Sequence, residues 1–549
     1  MKKNYLFLLL AFTSFLGFAQ ITPTIYRGAF EPAPSAMWTN DWTEFDPQNA
    51  VYPTPNVDVT ANITADTHWT TGNTYYLRNQ IYVKNNSTLT IDAGVIIRAD
   101  HTAVGAGLFV TKGSKVIAIG TATSPIVFTS DNAPGARNKG DWGGVILLGK
   151  ASYNINNGVN NIEGIAASAD TEFGGGTTPN DDDNSGILKY VRIEFGGYIY
   201  APNQEINGLT FGAVGRLTTI DNVQVSFAND DSFEWFGGTV NCTHIVAYRG
   251  LDDDFDTDNG YSGYVQFGLG IRDPQISDNP SVSTSEGFES DNNATSSVAT
   301  PFTGAVFSNC TLIGPTYRLT LPNGGTLASG YKRGARLRRN TQLKIFNTLF
   351  LDFLQGLHID GVTTETNALN NTLKYKNNIL AGITTTAKTV YVNTSGNNAS
   401  FDVNTWYNSN NNTTVASNSG ILTNPYNESS ALIYTGLDYR PAVGSIAATG
   451  ADFTDPDLTL STQTVSGETN NIKIYPNPFS TTFKINFISS SENDVKVSLY
   501  DITGRTIETK SISYVDINNF EFGSNINSGI YIVEVIQGGI SNSFKIIKK

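Results

Sequence analysis

Short apolar runs, separated by Gly, Asn and Asp, follow one another along most of the chain from Tyr75 onward. Examples are Gln80–Lys84, Ser87–Asp92 and Lys115–Gly120. Runs this short that are rich in Val, Ile, Thr and aromatic residues predict β-strands, and no helical periodicity lies between them. The run lengths alone leave open whether the strands form parallel coils or an antiparallel meander.

An internal repeat favours parallel coils. The segment Asn229–Gly238 recurs as Leu251–Gly260, with Phe233 aligned to Phe255 at an offset of 22 residues, and Glu286–Asp291 is a third, partial copy. A period of about 22 residues suits one coil of a parallel β-solenoid, because stacked coils bury a face that a single coil cannot bury. The chain is therefore predicted to be all-β.

Recurrent asparagines are expected at the coil corners. An Asn comes directly before an apolar run at four places: Asn222, Asn309, Asn347 and Asn377. Such amides, stacked on successive coils, would form a ladder of hydrogen bonds. Unrelated hairpins that use Asn turns are the alternative interpretation.

The first and last coils resemble a known group of proteins. The opening segments are similar to right-handed parallel β-helix surface proteins of Bacteroidetes: Ser87–Ile97, Gly120–Ser130 and Asp141–Gly149. Tyr439–Ser445 resembles their closing coil, and the likeness covers about residues 26–453. The resemblance implies a right-handed parallel β-helix, but it implies no activity, since function depends on the site and not on the fold.

The composition changes at Asn471. From there the alternation of apolar residues with Gly-containing turns predicts a small β-sandwich. Its boxes, Tyr475–Phe479 (YPNPF), Leu499–Arg505 (LYDITGR) and the basic tail Phe544–Lys549, resemble the type A C-terminal sorting domain of the type IX secretion system. An ordinary terminal sandwich used for adhesion is the alternative.

The resemblance to the sorting domain implies that outer-membrane type IX machinery reads this domain and usually removes it. The rest of the protein is then released, or joined to surface lipopolysaccharide. The sorting-signal residues that it implies are Tyr475, Pro476, Asn477, Pro478, Gly504, Gly529, Tyr531, Lys548 and Lys549.

The first residues predict export across the inner membrane. Lys2 and Lys3 precede an apolar stretch, and small residues predict cleavage between Ala19 and Gln20. A short membrane anchor is the alternative, but no later segment approaches the ~20 apolar residues of a transmembrane helix. The predicted domains are a signal peptide (1–19), an N-terminal cap (20–71), the β-helix (72–453), a linker (454–471) and the sorting domain (472–549).

Charge and composition exclude several classes of function. The net charge of −14 repels nucleic acid, and the basic stretch Lys332–Arg339 is better explained as a solvated face of one coil. Contact of its arginines with acidic sugars is the alternative. Four His and two Cys offer little for a zinc site. A disulfide between Cys242 and Cys310 is permitted in an oxidising compartment, but the spacing of the coils favours packed free thiols. We expect a monomer.

A run of closely spaced aspartates is the strongest candidate for chemistry. Asp252, Asp253, Asp254, Asp256 and Asp258 crowd into seven residues. The repeat stacks them on the previous coil at ~4.8 Å: Asp230 on Asp252, Asp231 on Asp253 and Glu234 on Asp256. Such columns must share protons or bind a cation, because like charges raise one another's pKa. Oxygen ligands suit Ca²⁺, with Asp252, Asp254, Asp256 and Asp258 as predicted ligands.

The run of aspartates does not form an EF-hand loop. An EF-hand is excluded because Asn259 and Val265 stand where that loop needs Gly and Glu. A solvated acidic turn, with Asp capping the coil corner, is the alternative to a metal site.

Catalysis is the second interpretation of the same residues. A polysaccharide lyase or glycoside hydrolase would use Asp252 and Asp253. The base of a lyase would be Arg249 or a residue of the stretch Lys332–Arg339, provided that it shares the acidic face. The motif set of polygalacturonases is absent. A Lys or Arg aligned one coil away from Asp252 or Asp253 would favour a lyase, whereas a purely acidic column would favour ion binding.

The favoured function is a secreted or cell-surface protein that binds glycan. Trp235, Tyr248 and Tyr261 lie near the acidic residues and would stack on sugar rings, although inward packing of such aromatic residues is the alternative. The insertion Asn154–Gly186 and the long excursion Tyr261–Ala299 are expected to flank this face.

Overall fold

The computed structural model describes residues 21–201, 204–317, 325–426, 436–458, 471–488, 494–501, 505–513, 516–517, 520–537 and 540–549. The chain divides into two compact units, residues 1–460 and 461–549. The predicted signal peptide with its cleavage site at Ala19 and Gln20, and the sorting residue Gly504, lie outside the described residues.

Two sheets of parallel strands build the first unit. Over the described residues the longer sheet contains Val57–Val59, Thr67–Trp69, Thr74–Leu77, Thr88–Ile91, Ile96–Ala99, Lys115–Ile119, Ile126–Ser130, Gly186–Glu194, Thr219–Ser226, Asn241–Tyr248, Tyr264–Ile271, Val306–Ser308, Thr311–Ile313, Lys344–Phe346, Leu349–Leu351, Lys374–Lys376, Ile379–Ala381 and Thr413–Val415. The ten-stranded sheet contains Gln80–Val83, Gly107–Val110, Gly144–Leu148, Leu209–Gly212, Phe233–Phe236, Phe255–Asp258, Phe288–Ser290, Arg333–Arg338, Gln355–Asp360 and Val390–Val392.

The remaining elements of this unit are small. Antiparallel pairs join Asn160–Asn161 to Glu172–Phe173, Ile199–Ala201 to Gln204–Glu205, and Leu422–Asn424 to Asp438–Pro441. The α-helices are Val362–Leu369 and Val403–Ser409, and the 3₁₀ turns are Asn156–Gly158, Pro315–Tyr317 and Thr386–Lys388. None of the helices in the described ranges combines the length and apolar character needed to span a bilayer.

The coils stack in the register that the repeat predicts. Phe233 pairs with Phe255, and Phe255 pairs with Phe288 on the next coil. All three rings are completely buried, and the first two lie 5.9 Å apart between ring centroids. This inward aromatic stack belongs to one continuous core, so the predicted parallel β-helix is confirmed.

The recurrent asparagines occupy left-handed bends. Asn222, Asn309, Asn347 and Asn377 have φ between 52° and 59°, a conformation that Asn tolerates better than most residues. Asn377 donates to the side chain of Asn347 at 2.6 Å, as in the predicted ladder. The amide nitrogen of Asn309 instead donates to Thr24 Oγ1 at 3.0 Å. The ladder is therefore shared with another segment of the chain.

That segment, residues 21–56, is here called the strap. It contains no strand, and it runs along the solenoid from late coils to early ones. Gly28 donates its N–H to the carbonyl of Asn347, Glu44 to the side chain of Gln224, and Tyr52 its hydroxyl to Glu194. Parallel pairing begins straight after it, at Val57–Val59, inside the stretch predicted as a cap.

The end of the first unit is also held by the coils. Asp455 accepts hydrogen bonds from Lys374 at 2.7 Å and from Lys376 at 2.8 Å. Leu458 is buried in a small cluster with Ile21. The solenoid therefore retains contacts as far as Leu458, beyond the predicted start of the linker at 454.

The second unit has antiparallel strands, as predicted for a β-sandwich. Its strands are Asn471–Tyr475, Phe483–Ile488 and Glu521–Phe522 in one sheet, and Val495–Asp501, Thr506–Ile512, Gly529–Gln537 and Ile540–Lys548 in the other. Side chains from both sheets form its own core, including Phe483, Val497 and Val533.

Candidate functional site

One column of polar side chains follows the outer face of the ten-stranded sheet. Glu234 and Asp256 alternate with the inward aromatic residues and lie in register on adjacent coils. Glu289 pairs with Asp256 on the next coil, and Arg336 pairs with Glu289 on the coil after that. The predicted stacking of Glu234 on Asp256 is confirmed, and the column changes from acidic to basic at Arg336.

A second row of carboxylates lies at the corner before these strands. Asp231 accepts a hydrogen bond from the backbone N–H of Asp253 at 2.8 Å, and Asp253 accepts one from Glu286 at 2.5 Å. Glu286 in turn accepts from the N–H of Arg333 at 2.7 Å. Each carboxylate thus tethers the next coil, which holds the row rigidly beside the column.

The two rows meet in a group of five residues, here called the acidic cluster: Asp231, Glu234, Asp253, Asp256 and Glu289. Carboxylate oxygens of Asp231, Glu234 and Asp256 lie within 4.8 Å of one another, as do those of Asp253, Asp256 and Glu289. Asp253 is only 3% exposed and Glu234 only 7%. One buried oxygen of Asp256 has no hydrogen-bond partner in the described part of the chain.

Ion pairs form at only one edge of the acidic cluster. Glu289 forms ion pairs with Arg338 and, at 3.6 Å, with Arg336. Over the described ranges, no ion pair involves Asp231, Glu234, Asp253 or Asp256. The basic stretch Lys332–Arg339 therefore forms its ion pairs with the neighbouring carboxylates, and four carboxylates of the cluster have no ion-pair partner among the described residues, although the charge of Arg338 lowers the pKa of Asp256.

Burial sets the protonation of these groups. The pKa of Asp231, Asp253 and Asp256 is raised well above the ordinary value. Loss of solvent is the largest cause, and repulsion from neighbouring carboxylates adds to it. Loss of solvent raises the pKa of Glu289 to about 8, although its arginines act in the opposite direction. At neutral pH the acidic cluster must hold protons or a cation.

The donor set fits Ca²⁺. All the donors are carboxylate oxygens, and Ca²⁺ accepts six to eight oxygen ligands in a flexible geometry. The unpartnered buried oxygen of Asp256 is a position where an ion would satisfy an otherwise orphaned acceptor. Asp231, Glu234, Asp253, Asp256 and Glu289 are the residues that could hold the ion.

The four predicted calcium ligands do not converge. Asp256 lies in the acidic cluster, whereas Asp252 groups with Asp230 and Asp231. Asp254 is completely buried and accepts from Arg272 at 2.8 Å through one oxygen, so it lies apart from the acidic cluster and its role as a ligand stays a prediction. It precedes the strand Phe255–Asp258, where the coil corner turns its side chain inward.

Asp258 lies one alternate position further along the strand than Asp256. Burial and the charge of Asp291 raise its pKa well above the ordinary value. Asp291 itself accepts from Arg338 at 2.8 Å and from Arg339 at 2.7 Å. Asp258 therefore borders the acidic cluster on the side of a neutralised carboxylate.

The aromatic residues predicted to stack on sugars are in the core. Trp235 and Tyr261 are 0% exposed and Tyr248 is 1% exposed. Trp235 and Tyr261 stack on each other, with 5.3 Å between ring centroids. A ring without exposed surface cannot stack on a ligand, so this prediction is wrong, and inward packing is the correct interpretation.

The predicted lyase base is engaged elsewhere. Arg249 donates to Asp273 at 2.8 Å, and its guanidinium lies 5.2 Å from the centroid of the Tyr248 ring. One coil away from Asp253 the aligned residues are Asp231 and Glu286, both acidic. On the two coils that adjoin Asp253 the row is therefore acidic, which favours ion binding over a lyase, and its first arginine, Arg333, lies one coil beyond Glu286.

Two segments border the acidic cluster. The insertion Asn154–Gly186 reaches it, since Asn154 donates its N–H to the carbonyl of Asn259 at 3.1 Å and the charge of Glu163 raises the pKa of Glu234. The 272–287 loop also reaches it, since Glu286 donates its N–H to Asp253 at 2.5 Å and Asp278 raises the pKa of the adjacent Asp252. Most of the excursion Tyr261–Ala299 forms one further coil of the solenoid. It contains the strands Tyr264–Ile271 and Phe288–Ser290, with a loop at 272–287 between them.

Glu289 is the residue of the acidic cluster that sequence reasoning missed. It lies in the third partial copy of the repeat, 33 residues after Asp256 and not 22, because the intervening coil carries an insertion. Aligning that copy on Phe288 would have placed Glu289 beside Asp256.

Comparison with known proteins identifies both units. Residues 61–425 match the model of the pectate-lyase-like β-helix domain, which covers the coils that carry the acidic cluster. The chain belongs to this family. In this pectate-lyase-like β-helix the acidic cluster lies on the outer face of the ten-stranded sheet, within the matched residues.

The second unit matches a different family. Residues 473–549 match the secretion system C-terminal sorting domain. The protein is therefore exported through the type IX system to the cell surface or outside. No curated protein matches the chain.

Proposed function

We propose that the solenoid binds Ca²⁺ at the acidic cluster and, with the ion bound, binds polysaccharide at the cell surface or outside the cell. One observation carries the proposal. Within the described residues, Asp231, Glu234, Asp253 and Asp256 converge without an ion pair, and one oxygen of Asp256 is an orphaned buried acceptor.

The electrostatics favour a bound cation over bare charge. Carboxylates removed from water lose hydration free energy that only protons, partners or a metal can restore. In acid, protonation is enough to neutralise these carboxylates. Near neutral pH, keeping them protonated costs free energy, because carboxyl groups in water are ionised at that pH. A divalent ion satisfies several carboxylates at once, and the surrounding medium outside a cell supplies Ca²⁺ at concentrations that weak sites can use.

The polysaccharide part of the proposal rests on where the ion would lie. The acidic cluster is bordered by the insertion Asn154–Gly186 on one side and by the 272–287 loop on the other. Sugar hydroxyl and carboxylate oxygens are ligands of the kind that Ca²⁺ takes. Because the net charge of −14 repels an acidic polymer, binding of such a polymer would depend on the ion.

The test uses the full mature chain after treatment with EDTA. Calorimetric titration with Ca²⁺ should give saturable binding that Asp256→Asn weakens by about tenfold or more. Glu31→Gln, an exposed carboxylate on the strap, is the matched control and should bind as the wild type does. Absence of heat and of any stabilisation by Ca²⁺ would contradict the proposal.

Affinity electrophoresis then tests the ligand. Retardation by a carboxylated polysaccharide is expected with Ca²⁺ and is expected to disappear with EDTA and in Asp256→Asn. Equal retardation under all conditions would separate polysaccharide binding from the acidic cluster.

Glycosidic cleavage is the second candidate function. Carboxylate oxygens of Asp253, Asp256 and Glu289 lie within 4.8 Å, and the raised pKa of Asp256 suits a general acid. Closely spaced carboxyl pairs are the machinery of retaining glycosidases. The size profile of a polysaccharide panel after incubation decides: shortened chains indicate an enzyme, and intact chains favour binding.

A further inference from the structure

A stack of aromatic rings ends at the first strand of the ten-stranded sheet. This terminal strand is Gln80–Val83, and its residues Gln80 and Tyr82 point outward, at positions that alternate with buried ones. The ring of Tyr82 stacks on Phe109 of the next coil at 4.8 Å between ring centroids. Phe109 is completely buried, whereas Tyr82 is half-buried. Because the strand ends the sheet, no further strand of it in the described part of the chain covers the other face of the Tyr82 ring.

Two further tyrosines come from a neighbouring hairpin. Tyr198 and Tyr200 are half-buried and pack edge to face at 5.0 Å between ring centroids. The hydroxyl of Tyr200 accepts a hydrogen bond from Gln80 Nε2 at 2.8 Å and donates to the carbonyl of Gly105 at 3.0 Å. Tyr82 donates its hydroxyl to Gln80 Oε1 at 3.0 Å, so one amide connects both rings. Tyr82, Tyr198 and Tyr200 are here called the tyrosine shelf.

The backbone beneath the tyrosine shelf is shaped to hold Tyr200. Gly105 has a φ of 57°, and a Cβ at this position would lie 1.8 Å from the Tyr200 hydroxyl oxygen. Glycine permits this close approach because it has no side chain. The hydroxyl is fixed between Gly105 and Gln80, so the ring keeps one orientation.

The rim of the tyrosine shelf is polar but has little net charge. Burial and the charge of Asp170 raise the pKa of Tyr82, and Asp170 forms an ion pair with Lys84. Asn62 is exposed, and its Oδ1 accepts from the N–H of Tyr82 at 3.0 Å. Aromatic rings beside amide groups suit a neutral sugar, which has apolar ring faces and many hydroxyls. An acidic polymer would need a cation, and Lys84 is already neutralised.

The tyrosine shelf lies on the same outer face as the acidic cluster. One outward column runs in register from Tyr82 to Glu234 over four coil spacings. At ~4.8 Å per coil the two sites are ~19 Å apart. A polymer of several sugar residues is long enough to contact both.

We propose that the tyrosine shelf is a second polysaccharide-binding site, which takes neutral sugar residues by stacking them on the Tyr82 ring and needs no metal ion. Asn62 and Gln80 border the ring with amide groups that hydrogen-bond to sugar hydroxyls. The proposal does not depend on an ion in the acidic cluster.

The experiment uses the full mature chain in EDTA, so that ion-dependent binding is absent. Affinity electrophoresis with a β-glucan, a mannan and a xylan should show retardation by at least one of these neutral polymers. In Tyr82→Ala the dissociation constant for that polymer should rise about tenfold, because the stacking ring is lost. Tyr82→Phe keeps the ring and should lose much less. Tyr475→Ala, which removes a 48% exposed tyrosine of the second unit, is the control and should bind as the wild type does.

A second variant and a second measurement separate loss of the tyrosine shelf from loss of the fold. Tyr200→Ala changes the neighbouring hairpin and should weaken binding of the same polymer. Both alanine variants should keep the heat of Ca²⁺ binding of the wild type, because the acidic cluster lies several coils away. Retardation in EDTA without any heat of Ca²⁺ binding would reject the ion site alone and leave the tyrosine shelf supported.

Three results would overturn the proposal. Absence of retardation by all three neutral polymers in EDTA would leave the tyrosine shelf without a sugar ligand. Equal retardation of the wild type, Tyr82→Ala and Tyr200→Ala would place the binding elsewhere on the chain. A sedimentation coefficient that rises with protein concentration in the wild type, but not in Tyr82→Ala, would show that a second copy of the chain covers the tyrosine shelf.

Discussion

At the residue scale, the two faces of one strand need different side chains, apolar on the inner face and polar on the outer face. Phe233 is completely buried in the aromatic stack, while its neighbour Glu234 points outward into the acidic cluster. A charge is tolerable on the outer side, where protons or an ion can compensate it, and is not tolerable among aromatic rings.

Phe233→Asp should therefore unfold the solenoid. Loss of the ring alone costs about 3–5 kcal/mol, and burial of a carboxylate adds to this cost. Asp256→Asn, one coil away and on the outer face, should stay folded and lose most of its stabilisation by Ca²⁺. Thermal melts followed by circular dichroism compare the two, and an unchanged melt for Phe233→Asp would contradict the register of the coils.

The buried carboxylates in and beside the acidic cluster also predict how stability depends on pH. In the folded chain the pKa of Asp252 is raised to about 7 and that of Glu289 to about 8, against roughly 4 for unfolded carboxyls. The folded state then binds more protons than the unfolded state between these values, so stability falls as the pH rises from about 4 to about 8.

Melting temperatures in EDTA should accordingly be lower at pH 8 than at pH 5, by on the order of a few degrees. Ca²⁺ should raise the melting temperature at pH 8 and have little effect at pH 5, where protons already neutralise the carboxylates. A melting temperature in EDTA that rises over this range would show that groups other than these carboxylates control the pH dependence of stability.

At the element scale, the strand Arg333–Arg338 decides where the acidic face ends. Its outward arginines lie between carboxylates on both neighbouring coils: Arg336 is paired with Glu289 and Asp360, and Arg338 with Glu289 and Asp291. The alternation of a strand places both side chains on the same face, so one element neutralises two coils.

Arg338→Gln should lower the free energy of unfolding by about 3 kcal/mol, because it leaves buried carboxylates without their cation. Arg339→Gln is the comparison: it also contacts Asp291, but its side chain is 42% exposed, and it should cost well under 1 kcal/mol. Urea unfolding measures both, and equal losses would contradict the role assigned to Arg338.

At the scale of the whole solenoid, the strap links distant coils. Trp38 stacks on Phe30 within the strap at 5.1 Å between ring centroids, and it contacts His244 of the coils edge to face at 5.2 Å. Because strap residues bond to groups 402, 405 and 419 residues away in sequence, the strap can dock only after that end of the solenoid has formed.

Trp38→Ala should loosen the strap and increase amide hydrogen exchange in Asn241–Tyr248 and Thr311–Ile313, the strands near its contacts. Ile25→Ala, on the same strap but 73% exposed, should leave exchange unchanged. Increased exchange in both variants, or in neither, would contradict a specific docking role for Trp38.

The sequence by itself determined what is periodic or contiguous. The 22-residue repeat placed Phe233 on Phe255 and Glu234 on Asp256, because strand alternation and coil length are local properties that each copy repeats. The sorting boxes were likewise readable as short contiguous motifs, now supported by the match over residues 473–549.

Only the tertiary structure decided where each coil turns and which distant groups meet. The corner directs Asp254 inward to Arg272, an insertion delays Glu289 so that the simple repeat misses it, and the core closes over Trp235 and Tyr261. These outcomes depend on packing between coils and on charges brought together from separate segments. The local sequence pattern predicts neither the packing nor these contacts, because an acidic or aromatic residue is compatible with a β-strand on either face of the sheet.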